Sequence, residues 1–330
     1  MIRRREFLAA AAAVVSARAV LPQPAFAQAK FPERPIRLVI PFPPGGVYDA
    51  VGRPWAEKVK TSLGTVVIEN IGGAGGSLGA AAVARAAPDG YTLLLGGGGP
   101  LIINSVASSK SSYDALKSFE AIDLLALTGL SICVHPSVPA KNLPELIAHA
   151  RANPDKMSYG SAGTGSMNQL AGELFKSLVR MPGIVHVPYK GGGPAITDLV
   201  GGQLPIVFAN VTGQIIELHR TGKIRIVAVT TPSRLVGAPD IPTAVEQGLE
   251  GMISQNFIGV FAPTGTPRAI VSQIAQASGG VRDDTEYRNL LLASGQEPVA
   301  ESGPGRTLQF VKDELARYTP IIKSIGLRID

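Results

Sequence analysis

Ile36-Arg37-Leu38-Val39-Ile40-Pro41-Phe42-Pro43-Pro44-Gly45-Gly46 decides the fold. Five residues rich in branched side chains read as a short buried strand. Prolines and glycines then break it, and a helical stretch over about 48–63 follows, ending at Gly64. The same strand, turn and helix recur. Thr65–Ile68 is a strand leading through Asn70–Gly76 to a small-residue helix at about 77–86, and Tyr91–Leu95 is a third strand running into Gly96–Gly99. After about residue 130 the rhythm resumes with strands at Ser131–Val134, Met157–Tyr159, Val185–Val187, Ile206–Phe208, Ile224–Val229 and Ile258–Phe261. Helices are expected at about 142–152, from the turn at Ser166 to about 179, after Gly193, and through most of the C-terminal remainder. Strands alternating with helices predict βαβ units, a mainly parallel sheet and two α/β halves without a long linker.

Composition agrees with that class. The chain has 330 residues, 45% of them apolar and 17% charged, which supplies a sizeable core and argues against a disordered or coiled-coil chain. A single cysteine, Cys133, excludes an intramolecular disulfide and a cysteine-rich zinc site. It lies on an apolar strand and reads as a small core residue, as does Trp55, spaced four residues from Val51 and Val59. The four histidines are scattered, and no metal or cofactor motif appears.

The N-terminus carries an export pattern. Arg3, Arg4 and Arg5 form a basic start, Phe7 to Val15 a short apolar run, and Ala25-Phe26-Ala27 a cleavage site before Gln28. The apolar run is far shorter than a membrane span. Arg4-Arg5-Glu6-Phe7-Leu8 also resembles a twin-arginine signal, so both export routes stay open. The chain from Gln28 onward is expected to be a soluble extracytoplasmic protein. Of the formal charge of +6, half sits in that leader. The remaining weak, dispersed excess does not suggest a nucleic-acid partner.

Three glycine-rich turns share one feature: Pro43-Pro44-Gly45-Gly46, Gly72 to Gly76, and Gly163-Thr164-Gly165-Ser166 each follow a strand and open a helix. Unpaired backbone N–H groups and the positive end of the helix dipole meet at such turns, and glycine allows close approach. In α/β sheets ligands bind at the carboxyl ends of strands, so a small anion such as a carboxylate is the expected guest. Gly191-Gly192-Gly193 repeats the design, and Lys190 beside it is placed to meet an anion. Another class stays open: Gly75-Gly76-Ser77-Leu78-Gly79 fits the G-x-S-x-G turn of serine hydrolases, although His135, His149, His186 and His219 have no recognisable catalytic context. A sensor module for an extracytoplasmic ligand is a third reading.

The motifs jointly resemble the Bug proteins, extracytoplasmic binding proteins of tripartite tricarboxylate transporters. The matching residues are Phe31 to Phe42 with Gly45, Gly46 and Asp49; Asn70 with Gly73-Ala74-Gly75-Gly76 and Gly79; and Pro88-Asp89-Gly90-Tyr91-Thr92. Tyr159 to Ser166, Val187-Pro188-Tyr189-Lys190-Gly191, Gly201-Gly202-Gln203, Pro239 to Thr243 and Ala262 to Pro267 continue the series. The resemblance implies a type II periplasmic-binding-protein fold, with two α/β lobes joined by crossing strands near Ile132–Val134 and Ile258–Val260. It implies a first lobe from 28–130 and 258–330, a second from 131–257, and a ligand cleft between them. It implies a monomeric protein without catalysis or cofactor, which captures a small organic acid and presents it to membrane permease subunits. The ligand residues it implies, together with those of the glycine turns, are Phe42, Gly45, Gly46, Tyr48, Asp49, Gly75, Gly76, Ser161, Gly163, Thr164, Gly165, Ser166, Lys190 and Asn210. The chain departs from the usual pattern at Tyr48, Ile71-Gly72, Gln169, Pro205 and Ala209. A phenol at position 48 is expected to reshape the pocket. Ala209, where a carboxylate is common, favours a plain acid over an amino acid.

Overall fold

The computed structural model of the protein describes residues 31–329, so the expected leader and its cleavage site lie outside the described residues. Strand β1 (Ile36–Ile40) is buried and stops where Pro41 removes a ladder donor. Helix α1 (Val47–Leu63) follows, burying Val51, Trp55, Val59 and Leu63 along one face. The unit repeats as β2 (Val66–Asn70), α2 (Ser77–Ala84) and β3 (Thr92–Gly97). Strands β1, β2 and β3 pair in parallel, as successive βαβ units dictate.

The next strand differs from the expectation. β4 (Phe119–Val134) begins at Phe119, not Ser131, and is buried along nearly its whole length. Its run Ala121-Ile122-Asp123-Leu124-Leu125-Ala126-Leu127 does not alternate because both faces are covered, so periodicity does not disclose a strand there. Residues 119–129 pair antiparallel with β9 (Gln255–Pro263), whereas 130–134 pair with β7 (Ile206–Asn210). One strand therefore serves two halves of the sheet. The order is β2-β1-β3-β9-β4-β7-β5-β6, with β5 (Ser158–Ser161) and β6 (Val185–Pro188) parallel to their neighbours. β8 (Arg225–Val229) and a short β10 (Gln296–Pro298), which the sequence did not signal, pair with β4. The sheet is mainly parallel within each half and antiparallel around β4 and β9.

Helices cover both halves: α3 (Leu143–Ala152), α4 (Met167–Val179), α5 (Gly192–Val200) and α6 (Gly213–Arg220) on the second, and α7 (Arg268–Arg282), α8 (Thr285–Ala293) and α9 (Pro304–Ser324) from the C-terminal part. Trp55 is fully buried, and its indole N–H donates to Ser278 Oγ at 2.9 Å. Ser278 in turn donates to Asp123, which Arg282 reaches at 2.8 Å, so α1, β4 and α7 are tied by one buried polar cluster. Cys133 is fully buried, and burial pushes its thiol up to about 12, which leaves it unreactive. Among the described residues no helix is long and apolar enough to cross a membrane.

Candidate ligand-binding site

The turn after β1 is held from beneath. Asp49, in the first turn of α1 and almost wholly buried, accepts the Gly45 N–H at 2.5 Å and Arg53 Nε at 2.8 Å. Asn70 donates to the Phe42 carbonyl at 2.9 Å and to Asp49 at 3.5 Å. The N-cap of α1 is Gly46, which offers no side-chain acceptor. The first-turn N–H groups of Val47 and Tyr48 thus have no protein partner among the described residues, and both residues line a cavity.

The turn after β5 is built differently. The Ser166 hydroxyl donates to the Gly163 carbonyl at 2.6 Å and accepts the Gln169 N–H at 3.2 Å, so it caps α4. The Gln169 side-chain oxygen in turn accepts the Gly165 N–H at 2.7 Å. This leaves the N–H groups of Met167 and Asn168, at the same cavity, unpaired among the described residues. Because the Ser166 hydroxyl is already engaged, its removal should act on stability: Ser166→Ala is expected to cost about 1 kcal/mol in urea unfolding.

His186 supports this second turn. Its Nε2 lies 2.7 Å from Ser161 Oγ, its Nδ1 lies 3.4 Å from Gln169 Nε2, and its ring stacks on Tyr159 at 4.8 Å. Burial lowers the His186 pKa, against the opposing charge of Glu173 and with that of Lys176; burial likewise lowers His219. A histidine whose folded pKa lies below its unfolded value of about 6.5 contributes stability that is complete above that value. That stability is lost as the pH falls below it toward the folded pKa. The urea midpoint is therefore expected to drop as the pH falls below about 6.5, and a His186→Gln, His219→Gln double variant should flatten that slope.

The unpaired N–H groups border a cavity of about 80 Å³, several times the roughly 10–15 Å³ that one water needs. Turns after β1, β5, β6 and β7 form its wall, at the carboxyl ends of the strands. Phe42 and Tyr48 stack at 4.6 Å on one side. A row of amides forms the floor: Asn256 Nδ2 donates to Asn210 at 3.3 Å and lies 3.5 Å from the Tyr48 hydroxyl, and Asn210 donates to Asn168 at 3.4 Å. Burial raises the Tyr48 phenol well above its ordinary pKa, so it stays neutral. Among the described residues, no Lys, Arg, His, Asp or Glu lines this cavity.

Of the expected ligand residues, Phe42, Gly45, Gly46, Tyr48, Ser166 and Asn210 meet here. Gly75, Gly163, Thr164 and Lys190 instead line a second cavity of about 240 Å³, which shares Phe42, Pro43 and Ala162 with the first. Asp49, Gly76, Ser161 and Gly165 line neither; Asp49 and Ser161 bond the turns from behind. The sequence reading missed Asn168, Thr212, Gln214 and Asn256. Asn256 had one signal, a polar residue at the start of an apolar strand. Ser77 opens α2 with no histidine or carboxylate bonded to its hydroxyl among the described residues.

Comparisons with known proteins agree with this architecture. The model of the tripartite tricarboxylate transporter family receptor matches residues 51–327. Protein BugT of Bordetella pertussis is 31% identical over 301 residues, spanning 91% of each chain. MatC from Rhodopseudomonas palustris, solved with bound malate, superposes with a TM-score of 0.84 at 31% identity, covering 88% of this chain and all of that one. A second R. palustris protein, solved with adipate, superposes at 0.85 and 31% identity, covering 90% of this chain and 99% of its own.

Proposed function

Because this chain belongs to the tripartite tricarboxylate transporter receptor family, whose members are periplasmic solute-binding proteins and not enzymes, we propose that it captures a small organic carboxylate for a membrane permease of that type. The carrying observation is the pair of helix starts, at Val47 and Met167, whose unpaired N–H groups border one uncharged cavity. Helix N-termini favour an anion, and among the described residues no cationic side chain lines the wall to compete with them. The absence, among the described residues, of any acidic side chain on that wall, with Ala209 in it, supports a plain acid over an amino acid, whose ammonium group would lack a partner.

In this reading residues 28–130 with 258–330 form one lobe, 131–257 form the other, and they close on the acid by a hinge motion. The leader is removed near Ala27, by the general or the twin-arginine route. Malate and adipate in the two R. palustris relatives support the carboxylate class. A thermal-shift screen over mono-, di- and tricarboxylates tests the proposal. A ligand at a hundred times its dissociation constant stabilises by about 2.7 kcal/mol, a readily measured rise in Tm. No shift with any acid, or a shift with amines alone, would overturn it.

A further inference from the structure

Tyr48 lines the cavity, and that residue is held so that it does not swing aside. Its ring stacks on Phe42, and its hydroxyl reaches the seam between β3 and β9, where a Cβ on Gly97 would lie 2.1 Å from it. Behind the hydroxyl stands Asn256, whose side-chain oxygen accepts the Gly98 and Phe257 N–H groups at 3.0 Å each. Tyr48 is 3% exposed, and its own N–H belongs to the unpaired set at the start of α1. The phenol therefore occupies space that a ligand held on those N–H groups would otherwise extend into.

We infer that Tyr48 sets an upper limit on ligand length, so that the site takes acids of malonate to succinate size and turns adipate away. The inference rests on the carboxylate reading above. Each further methylene must either overpack the aromatic pair or displace a ring pinned by Gly97 and Asn256.

Calorimetric titration of malonate, succinate, glutarate and adipate into the full protein tests this, with Tyr48→Ala, Tyr48→Leu and Tyr48→Phe alongside. Wild-type affinity is expected to fall more than tenfold from succinate to adipate. Tyr48→Ala should remove or invert that fall, Tyr48→Leu should reduce it, and Tyr48→Phe should keep it, because the ring sets the limit. If Tyr48→Ala does not fold by circular dichroism, Tyr48→Leu, which keeps apolar bulk, decides. Wild-type protein binding adipate as tightly as succinate overturns the inference alone, as does a folded shortened variant with the wild-type ranking. Wild-type protein that binds none of the four, and no other carboxylate, fails the carboxylate reading and the inference with it.

Discussion

Gly75→Ala should give a folded protein whose carboxylate affinity is at least a hundredfold weaker than wild type. The turn after β2 lies against the turn after β5, and at Gly75 the contact is backbone on backbone. A Cβ there would stand 2.4 Å from the Gly165 carbonyl carbon, 2.5 Å from its oxygen and 2.7 Å from the Thr164 oxygen. No flexible side chain is available to yield. The left-handed φ of +61° adds about 1–2 kcal/mol of strain for alanine. Separating the two turns would relieve the clash, so the substitution is expected to act on closure. Small-angle scattering should show wild type becoming more compact with saturating acid while the variant stays expanded. Unchanged affinity in the variant would show that this contact is not made in the bound state.

Asp49→Ala should lower stability by about 2–3 kcal/mol and weaken binding at least tenfold. The buried carboxylate accepts the Gly45 N–H and Arg53 Nε, and a hydrogen bond to a charged group contributes about 1.5–3 kcal/mol. The share from Arg53 is discounted, because that side chain is 51% exposed. Freed of Asp49, the turn from Phe42 to Gly46 loses its fixed position over the unpaired N–H groups of α1. Asp49→Asn keeps an acceptor for Gly45 and should retain most of both properties. Urea unfolding and calorimetry read the two effects, and wild-type values for Asp49→Ala would show the carboxylate to be idle.

These two residues mark where sequence reading reached and where it stopped. Ile36–Ile40 and the glycines after it disclose a strand, a turn and a helix start, because chain breakers leave a local signature. The carboxylate proposal rests on the same turns, since unpaired N–H groups are a property of any helix start. Side-chain allegiance leaves no such trace. Asp49 and Ser166 stand in the glycine motifs and read as ligand contacts; in the fold Asp49 accepts from the Gly45 N–H and the Arg53 side chain, and Ser166 caps α4. Asn168 and Asn256 carry no local motif, and only the tertiary fold brings them beside Asn210 and Tyr48. The first part of β4 escaped for a related reason: a strand covered on both faces has no period to read.

A crystal structure of the protein grown with succinate tests the central claim most directly. A ligand carboxylate is expected within hydrogen-bond distance of the first-turn N–H groups of α1 and α4, directly or through one water, with its far end against Tyr48 and the Asn256–Asn210 pair. Succinate lodged instead at Ser77 or beside Lys190, with the cavity between Val47 and Met167 left to solvent, would contradict the account.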